Sequence, residues 1–255
     1  MEAEPKRQLL TPLRGDRYMT TALKTDEKLY REEIDELAQR FEEAAPEEVL
    51  HWALQRFGKG VALATGFGAE GCVLVHMLAN IDKNARISYL DTGLLFAETY
   101  DLRDRLQVRY GVRIERQASA VSLEEQSERY GEKLWERDPN RCCRLRKVEP
   151  IKEALAGLDA WITAIRRDQT PTRANAGIVE WDSKFGLVKI NPLARWSSKD
   201  VWKFIVEYDV PYNPLHDVGY PSIGCRPCTT IVQIGEDTRA GRWRGREKTE
   251  CGLHR

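Results

Sequence analysis

The cysteines of this 255-residue chain are spaced in a way that could do chemistry. Cys142 and Cys143 are adjacent in "RCCRLRK", and Cys225 and Cys228 form a CxxC pair in "GCRPC". Four thiolates in two close pairs are the ligand set of a zinc ion or of an iron–sulfur cluster. Structural zinc normally uses a CxxC knuckle in both pairs, whereas adjacent cysteines can bind different irons of a cubane. The spacing therefore favours a [4Fe–4S] cluster and leaves zinc as the alternative.

A fifth cysteine, Cys251, lies in "KTECGLHR" at the carboxyl end of the sequence. A lone cysteine in such a place is more often an inert thiol than a nucleophile. Gly252 beside it gives the backbone freedom that a thiol moving between two partners would need. The sixth cysteine, Cys72, is in the apolar stretch "GCVLVHML" and is expected to pack in the core.

A glycine-rich turn follows the first β-like run, in "ATGFGAEG". Its residues Thr65, Gly66, Phe67 and Gly68 could present backbone N–H groups to an anion at the start of a helix. The turn lacks the Gly-Lys-Ser/Thr of a Walker A loop and fits the Rossmann pattern poorly. An anion cradle and a plain strand-to-helix turn both remain open from this stretch alone.

Polar residues also follow two other β-like runs. One set is Asp91, Thr92 and Gly93 in "YLDTG", and the other is Arg166 and Arg167 in "AIRRDQTPTR", with Arg173 at its end. Because the carboxyl ends of parallel strands meet at one edge of a sheet, these groups are expected to share a pocket. Guanidinium groups bind phosphate and sulfate through paired hydrogen bonds, so a small anionic nucleotide would suit the pocket.

Short β-like runs alternate with helical periodicity along most of the chain. The runs are "GVALAT", "ARISYL", "VRIE", "AWITAI" and "GLVKINPL", and helices are expected to begin near Glu70, Phe96, Ser122, Pro150 and Ser197. Strands that alternate with helices form parallel βαβ units. The sequence therefore predicts an α/β fold with a doubly wound, mostly parallel sheet.

The chain is expected to have three parts. Residues 1–58 would form a polar N-terminal arm and a helical preface, with helices over residues 27–43 and from Pro46 toward Phe57. Residues 59–235 would form the α/β domain that binds the nucleotide and the cluster. Residues 236–255, called the C-terminal arm below, would be mobile and carry Cys251.

Composition limits the class of protein. Forty basic and forty acidic residues balance, which argues against nucleic acid or a membrane as the partner. Neither an apolar signal region nor a bilayer-spanning run is recognisable in the sequence, so a cytoplasmic location is expected. In that reducing compartment, clustered cysteines are more often metal ligands or catalysts than disulfides.

Three stretches together resemble one known family. "RCCRLRKVEP", "GCRPCTT" and "GRWRGREKTECGLH" are similar to the assimilatory sulfonucleotide reductases, in particular the iron–sulfur type called adenylylsulfate (APS) reductase, over about residues 61–254. The resemblance implies a Rossmann-like fold akin to the adenine nucleotide α-hydrolases. It also implies reduction of APS to sulfite and AMP in sulfate assimilation and cysteine biosynthesis, with thioredoxin or a similar thiol donor as the reductant.

The resemblance assigns roles to individual residues. It implies that the four paired cysteines bind a [4Fe–4S] cluster and that Cys251 is the nucleophile, which would become an S-sulfonate. The residues that it implies around the sulfate and phosphate are Lys147, Arg239, Arg242 and His254.

Other activities and states remain open at this point. The 3′-phosphorylated nucleotide PAPS could be the substrate, alone or together with APS. An ATP-dependent tRNA-thiolation enzyme is disfavoured, because its loop would need Ser-Gly-Gly-x-Asp-Ser. A zinc-stabilised nucleic-acid-binding module is disfavoured by the balanced charge. Homo-oligomerisation is not decided by the sequence.

Overall fold

The computed structural model describes residues 31–253. The expected polar arm before residue 27 therefore lies outside the described residues, as does His254. Helix α1 occupies residues 31–41, and helix α2 runs from Pro46 to Phe57. Proline suits the first helical position because its missing N–H would have no partner there. Val49, Leu50 and Ala53 are the buried face of α2, so the two helices of the preface join the main core.

Six strands form one sheet. They are β1 (Val61–Thr65), β2 (Arg86–Asp91), β3 (Ile114–Ala118), β4 (Ala160–Ile162), β5 (Val179–Asp182) and β6 (Leu187–Ile190). Their order across the sheet is β3-β2-β1-β4-β6-β5. Every neighbouring pair is parallel except β5 with β6. The prediction of a doubly wound, mostly parallel α/β sheet is confirmed.

Five of the helices that cover the sheet start within one residue of where the sequence predicts. Seven α-helices follow β1 in the described part of the chain. They are α3 (Ala69–Ile81), α4 (Ala97–Tyr110), α5 (Leu123–Tyr130), α6 (Leu134–Arg137), α7 (Pro139–Cys143), α8 (Glu149–Leu155) and α9 (Ser198–Glu207). Ser122 and Ser197 each accept a hydrogen bond from the backbone N–H three residues on, which satisfies one of the free donors at a helix start. A π-helical turn, Arg144–Val148, joins α7 to α8.

The structure differs from the prediction in several elements, of which the short helices α6 and α7 were not predicted. Strand β3 begins later than the run "VRIE", and β4 ends at Ile162, before the end of "AWITAI". The edge strand β5 was not predicted, because its sequence "VEWD" is mostly polar or partly exposed and lacks a continuous apolar run. It forms a hairpin with β6 through a turn that ends at Gly186, where φ is 72°. These differences leave the sheet topology unchanged.

The order of the strands creates a crevice between β1 and β4. From β1 the chain adds β2 and then β3 on one side, whereas β4 pairs with the other side of β1. The loops that follow β1 and β4 therefore lead away from each other, and ligands of open α/β sheets bind at such a point. No helix among the described residues is long and apolar enough to cross a membrane.

Candidate active site

A cavity opens at the carboxyl ends of β1, β2 and β4. Residues predicted to bind substrate form much of its wall: Thr65, Gly66, Gly68, Thr92, Lys147, Arg239, Arg242 and Cys251. Arg173 and Glu250 are also in the wall. The structure thus brings residues from the glycine-rich turn, from α7–α8 and from the C-terminal arm to one place.

The glycine-rich turn is held by its own side chains. Thr65 Oγ1 accepts a hydrogen bond of 3.0 Å from the Phe67 backbone N–H, and Phe67 has a positive φ of 57°. The Phe67 side chain is 1% exposed and packs on Tyr89, with 5.3 Å between ring centroids. A side chain at Gly71 would clash with Thr65 Oγ1. Phe67 therefore anchors the turn in the core, while Gly66 and Gly68 border the cavity.

Asp91 fixes the loop after β2 and does not border the cavity. Its carboxylate accepts hydrogen bonds from Arg116 Nε at 2.6 Å, Tyr100 Oη at 2.7 Å and the Gly93 N–H at 2.9 Å. Burial opposes the charged form of Asp91, but these donors outweigh it and keep the pKa of Asp91 below its ordinary value. The fixed loop presents Thr92, which is 1% exposed, to the cavity.

Arg166 and Arg167 are engaged in ion pairs and do not border the cavity, although Glu70, the partner of Arg166, does. Arg166 binds Glu70 at 2.9 Å, and Arg167 binds Glu42 of the region after α1 with a hydrogen bond of 2.9 Å. Arg173, from the same loop after β4, is the arginine that borders the cavity. The loop predicted to supply guanidinium groups does so through Arg173, and its other two arginines tie it to the protein body.

Positive charge converges on the cavity from three parts of the chain. Lys147 lies on the turn between α7 and α8, Arg173 lies in the loop after β4, and Arg239 and Arg242 lie on the C-terminal arm. Burial opposes the charged form of Lys147, but the thiols of Cys225, Cys251 and Cys143 raise its pKa above the ordinary value. Lys147 therefore carries a positive charge, and it borders both the cavity that contains Cys251 and the cavity that contains the four paired cysteines.

The C-terminal arm is docked on the domain. Cys251 is half-buried in the cavity wall, and Gly252 makes a turn with φ of 91°. Lys184 Nζ donates a hydrogen bond to the Gly252 carbonyl, and Leu253 packs against the hydrophobic cluster around Ile151. This position places the Cys251 thiol beside the cavity that holds Lys147 and Arg242.

A second, smaller cavity contains the four paired cysteines. Cys142 and Cys143 end α7, which begins at Pro139. Cys225 immediately precedes the 3₁₀ turn Arg226–Cys228, and Cys228 is its last residue. A hydrogen bond of 3.0 Å from the Cys228 N–H to the Cys225 carbonyl closes this turn. Burial and the neighbouring thiols raise the pKa of Cys142 to about 12 and that of Cys228 to about 11. Four deprotonated thiols in this cavity would therefore require a cationic group between them.

Two hydrogen-bond donors beside the cysteines could interact with a cationic metal group bound there. The Thr92 hydroxyl lies 3.3 Å from Cys225 Sγ. Trp243 Nε1 is buried beside the cysteine cavity and has no hydrogen-bond partner among residues 31–253. In the same described part of the chain, no set of three or more His, Cys, Asp or Glu residues has the geometry to hold a single metal ion. The cavity thus offers four cysteine sulfurs as ligands, the Thr92 hydroxyl next to one of them, and the unpaired indole N–H of Trp243.

Sequence reasoning missed several of these residues. Glu250 and Trp243 carried no signal, because only the folded arm brings them to the cavities. Arg146 could have been found: it is buried and lines the cysteine cavity with Cys142. Arg146 and Lys147 each follow a cysteine by four residues, which is the spacing that puts side chains on one face of a helix.

Residues 60–231 match the family described as the phosphoadenosine phosphosulfate reductase domain. The adenosine 5'-phosphosulfate reductase of Salinibacter ruber is 51% identical over 84% of this chain and 86% of its own length. The phosphoadenosine 5'-phosphosulfate reductase of Gloeobacter violaceus is 48% identical over 87% of this chain and 93% of its own length. The crystal structure of phosphoadenylyl-sulfate (PAPS) reductase from Candida auris, a phosphate complex, superimposes with a TM-score of 0.70 and 33% identity over 79% of this chain and 97% of that one. With its family match and these relatives, the chain belongs to the phosphoadenosine phosphosulfate reductase family.

Proposed function

We propose that the protein reduces APS to sulfite and AMP through an S-sulfonate on Cys251, with thioredoxin or a similar dithiol as the reductant, in sulfate assimilation. The observation that carries the proposal is the position of Cys251 in the wall of a cavity that also contains the glycine-rich turn and three basic side chains of the C-terminal arm and the α7–α8 turn. Relatives named adenosine 5'-phosphosulfate reductase support the choice of reaction.

The four cysteines that line one cavity support a resident [4Fe–4S] cluster. Its ligands would be Cys142, Cys143, Cys225 and Cys228, and Thr92 and Trp243 would supply hydrogen-bond donors beside it. The adjacent pair Cys142 and Cys143 supports the cubane over a single zinc ion, because structural zinc normally uses a CxxC knuckle in both pairs. When bound, the cluster would supply a fixed charge beside Lys147, while the electrons come from the external dithiol.

The first half-reaction would use the cations of the cavity. The Cys251 thiolate attacks the sulfur of the sulfate group, an S–S bond forms, and the bond from that sulfur to the bridging oxygen breaks. AMP leaves with the bonding electron pair, and Cys251 remains as the S-sulfonate. Attack of an anion on an anionic group requires positive charge at the site, which Lys147, Arg239 and Arg242 can provide. His254, outside the described residues, is proposed to join them.

The second half-reaction would take place with the C-terminal arm open. A thiolate of the reductant attacks Cys251 Sγ, the bond to the SO₃ group breaks, and sulfite leaves with its electron pair. A second thiol of the reductant then attacks the mixed disulfide, which frees the Cys251 thiolate and leaves the reductant as a disulfide. We take residues 236–255 as the segment that moves between the two partners, on a domain formed by residues 59–235 and a preface formed by residues 1–58.

PAPS is the alternative substrate. The Gloeobacter violaceus relative and the Candida auris structure both carry the name of the PAPS enzyme. Side-by-side turnover of APS and PAPS by the anaerobically purified protein, with thioredoxin and sulfite as the readout, separates the two. We expect sulfite from APS at the higher kcat/KM. Preference for PAPS would transfer the proposal to that nucleotide, and sulfite from neither would overturn it.

Removing one cation of the cavity should slow the first half-reaction. We expect Lys147→Ala and Arg242→Ala to lower kcat/KM for APS by roughly ten- to a thousandfold, as the loss of a preorganised charge contact commonly does. The matched controls are Lys152→Ala on α8 and Arg246→Ala on the C-terminal arm, because both side chains are exposed and outside the cavity wall. Wild-type kcat/KM in both cavity variants would mean that these charges do not act on the substrate.

A further inference from the structure

Glu250 is a buried acid in the wall of a cavity that four basic side chains also line: Lys147, Arg173, Arg239 and Arg242. It immediately precedes Cys251 on the C-terminal arm, and the residue is only 2% exposed. The first half-reaction gives it no role, since a carboxylate would repel an anionic substrate. Its position therefore needs another explanation.

The Glu250 carboxylate lies between two guanidinium groups. Arg173 Nη2 donates a hydrogen bond of 2.9 Å to Glu250 Oε2, and Arg239 Nη2 is 3.4 Å from the same oxygen. Arg239 Nη2 also donates to the Thr249 carbonyl at 2.9 Å. Arg173 belongs to the loop after β4, so the contact with Glu250 joins the C-terminal arm to the domain.

The pair of Arg173 and Glu250 is shielded from water. Their side chains are 9% and 2% exposed, and Arg173 Nη2 lies 2.9 Å from each of the two carboxylate oxygens of Glu250. Removing one partner of a buried ion pair leaves an uncompensated charge and is strongly unfavourable. Opening of the arm breaks the hydrogen bond between Arg173 and Glu250, and a substitution that removes one of these charges destabilises the closed arm, because the other charge stays buried there.

The pair also leaves donors of Arg239 free for an anion. The contacts of Arg239 with Glu250 and Thr249 use Nη2 alone. Glu250 can therefore hold the two guanidinium groups in place without occupying all of their hydrogen-bonding capacity. The closed arm and the anion site are built from the same side chains.

We propose that Glu250 is a positioning residue that latches the C-terminal arm closed through Arg173 and so holds Cys251 at the cavity. This role rests on the proposed function, because the step that it serves is attack by Cys251. The contact between Glu250 and Arg173 separates the two half-reactions. With the arm closed, Cys251 attacks the nucleotide, whereas the reductant discharges the S-sulfonate after the contact has broken and the arm has opened.

The first test measures exposure of Cys251 without any nucleotide. We expect Glu250→Gln to raise the rate of Cys251 alkylation by iodoacetamide in the holoenzyme by roughly tenfold, since it removes one charge of a buried pair. Mass spectrometry of the tryptic peptide 249–255 reports this thiol alone. Glu247→Gln is the matched control, because Glu247 is exposed on the same arm. Equal alkylation rates in the two variants would overturn the latch.

A second variant tests the same contact from the other side. Arg173→Ala should raise the alkylation rate of Cys251 although it lies outside the arm, and the double variant should not exceed the faster single variant, because both remove one interaction. The Arg173→Ala variant keeps the test decisive if Glu250→Gln folds poorly. Additive effects would mean that the two residues act independently and would contradict the proposal.

A third measurement distinguishes positioning from general damage. In a single turnover without thiol, Glu250→Gln should release AMP roughly tenfold more slowly than Glu247→Gln, whereas discharge of the preformed adduct by thioredoxin should not slow. Slowing of both steps would indicate a merely structural role and overturn the proposal. If wild-type protein forms no adduct, the proposed function fails while the alkylation result still decides the latch.

Discussion

Replacing Cys228 by serine is expected to remove most of the iron from the protein. The anaerobically purified wild type should contain about four irons per chain, as a cubane held by four thiolates requires. Cys228 lines the cavity with Cys142, Cys143 and Cys225, and the hydroxyl of serine is a much weaker ligand than a thiolate for the iron of such a cluster. Iron and acid-labile sulfide analysis, together with visible absorption, checks the loss.

The same substitution should lower thermal stability. The ligands come from helix α7 and from the 3₁₀ turn Arg226–Cys228, so the cluster would tie two distant segments together. Cys142→Ser is expected to behave like Cys228→Ser, because it removes a ligand of the other pair. The unfolding midpoint of both variants, measured anaerobically, should fall together with the iron content.

Cys72→Ser is the matched control for the cluster. Cys72 is fully buried on α3, where burial raises its pKa and its thiol points to the Phe67 carbonyl at 3.8 Å, away from the cysteine cavity. This variant should keep its full iron content even if it loses some stability. Loss of iron from Cys72→Ser, or zinc in place of iron in the wild type, would contradict the assignment.

The two cavities share wall residues. Lys147 and Trp243 border both the cysteine cavity and the substrate cavity. The Arg242 guanidinium lies 4.7 Å from the centroid of the Trp243 ring, which also contacts Lys248. A change of charge in the cysteine cavity would therefore act on the cations that face the substrate without any movement of the main chain.

Much of the fold could be predicted because it depends on local pattern. Apolar runs of strand length alternate with helical periodicity, and the helix starts carry their own capping residues, such as Ser122 and Ser197. Parallel strands then follow from the alternation. The polar edge strand β5 (Val179–Asp182) escaped prediction because an edge strand needs few apolar residues.

The details of the site depended on partners that are distant in sequence. In the loop after β4, Arg166 binds Glu70 and Arg167 binds Glu42. Arg173 is therefore the arginine of this loop that borders the cavity. No local pattern contains that information. By contrast, the spacing of the cysteines was sufficient to predict that the two pairs lie together, because a metal group with four thiolate ligands would have to bind both pairs at once.

Replacing Cys251 by serine is expected to abolish sulfite formation while the protein keeps its nucleotide affinity and its iron. The hydroxyl of serine is a poor nucleophile toward sulfur and cannot form a bond that an external thiol later exchanges. Cys251 is in the wall of the substrate cavity and not in that of the cysteine cavity, so iron binding should be unaffected. Sulfite assays, iron analysis and equilibrium nucleotide binding check the three parts.

The wild type should show the matching intermediate. Incubation with APS in the absence of thiol should release one AMP per active site and then stop, and the peptide 249–255 should become heavier by one SO₃ group on Cys251. Added thioredoxin should release sulfite and restore the free peptide mass, because its thiolate attacks Cys251 Sγ directly. Cys72→Ser serves again as the control and should form the adduct normally. An SO₃ group on another cysteine, or sulfite production by Cys251→Ser at the wild-type rate, would remove Cys251 from the reaction and leave the docked arm without a chemical role.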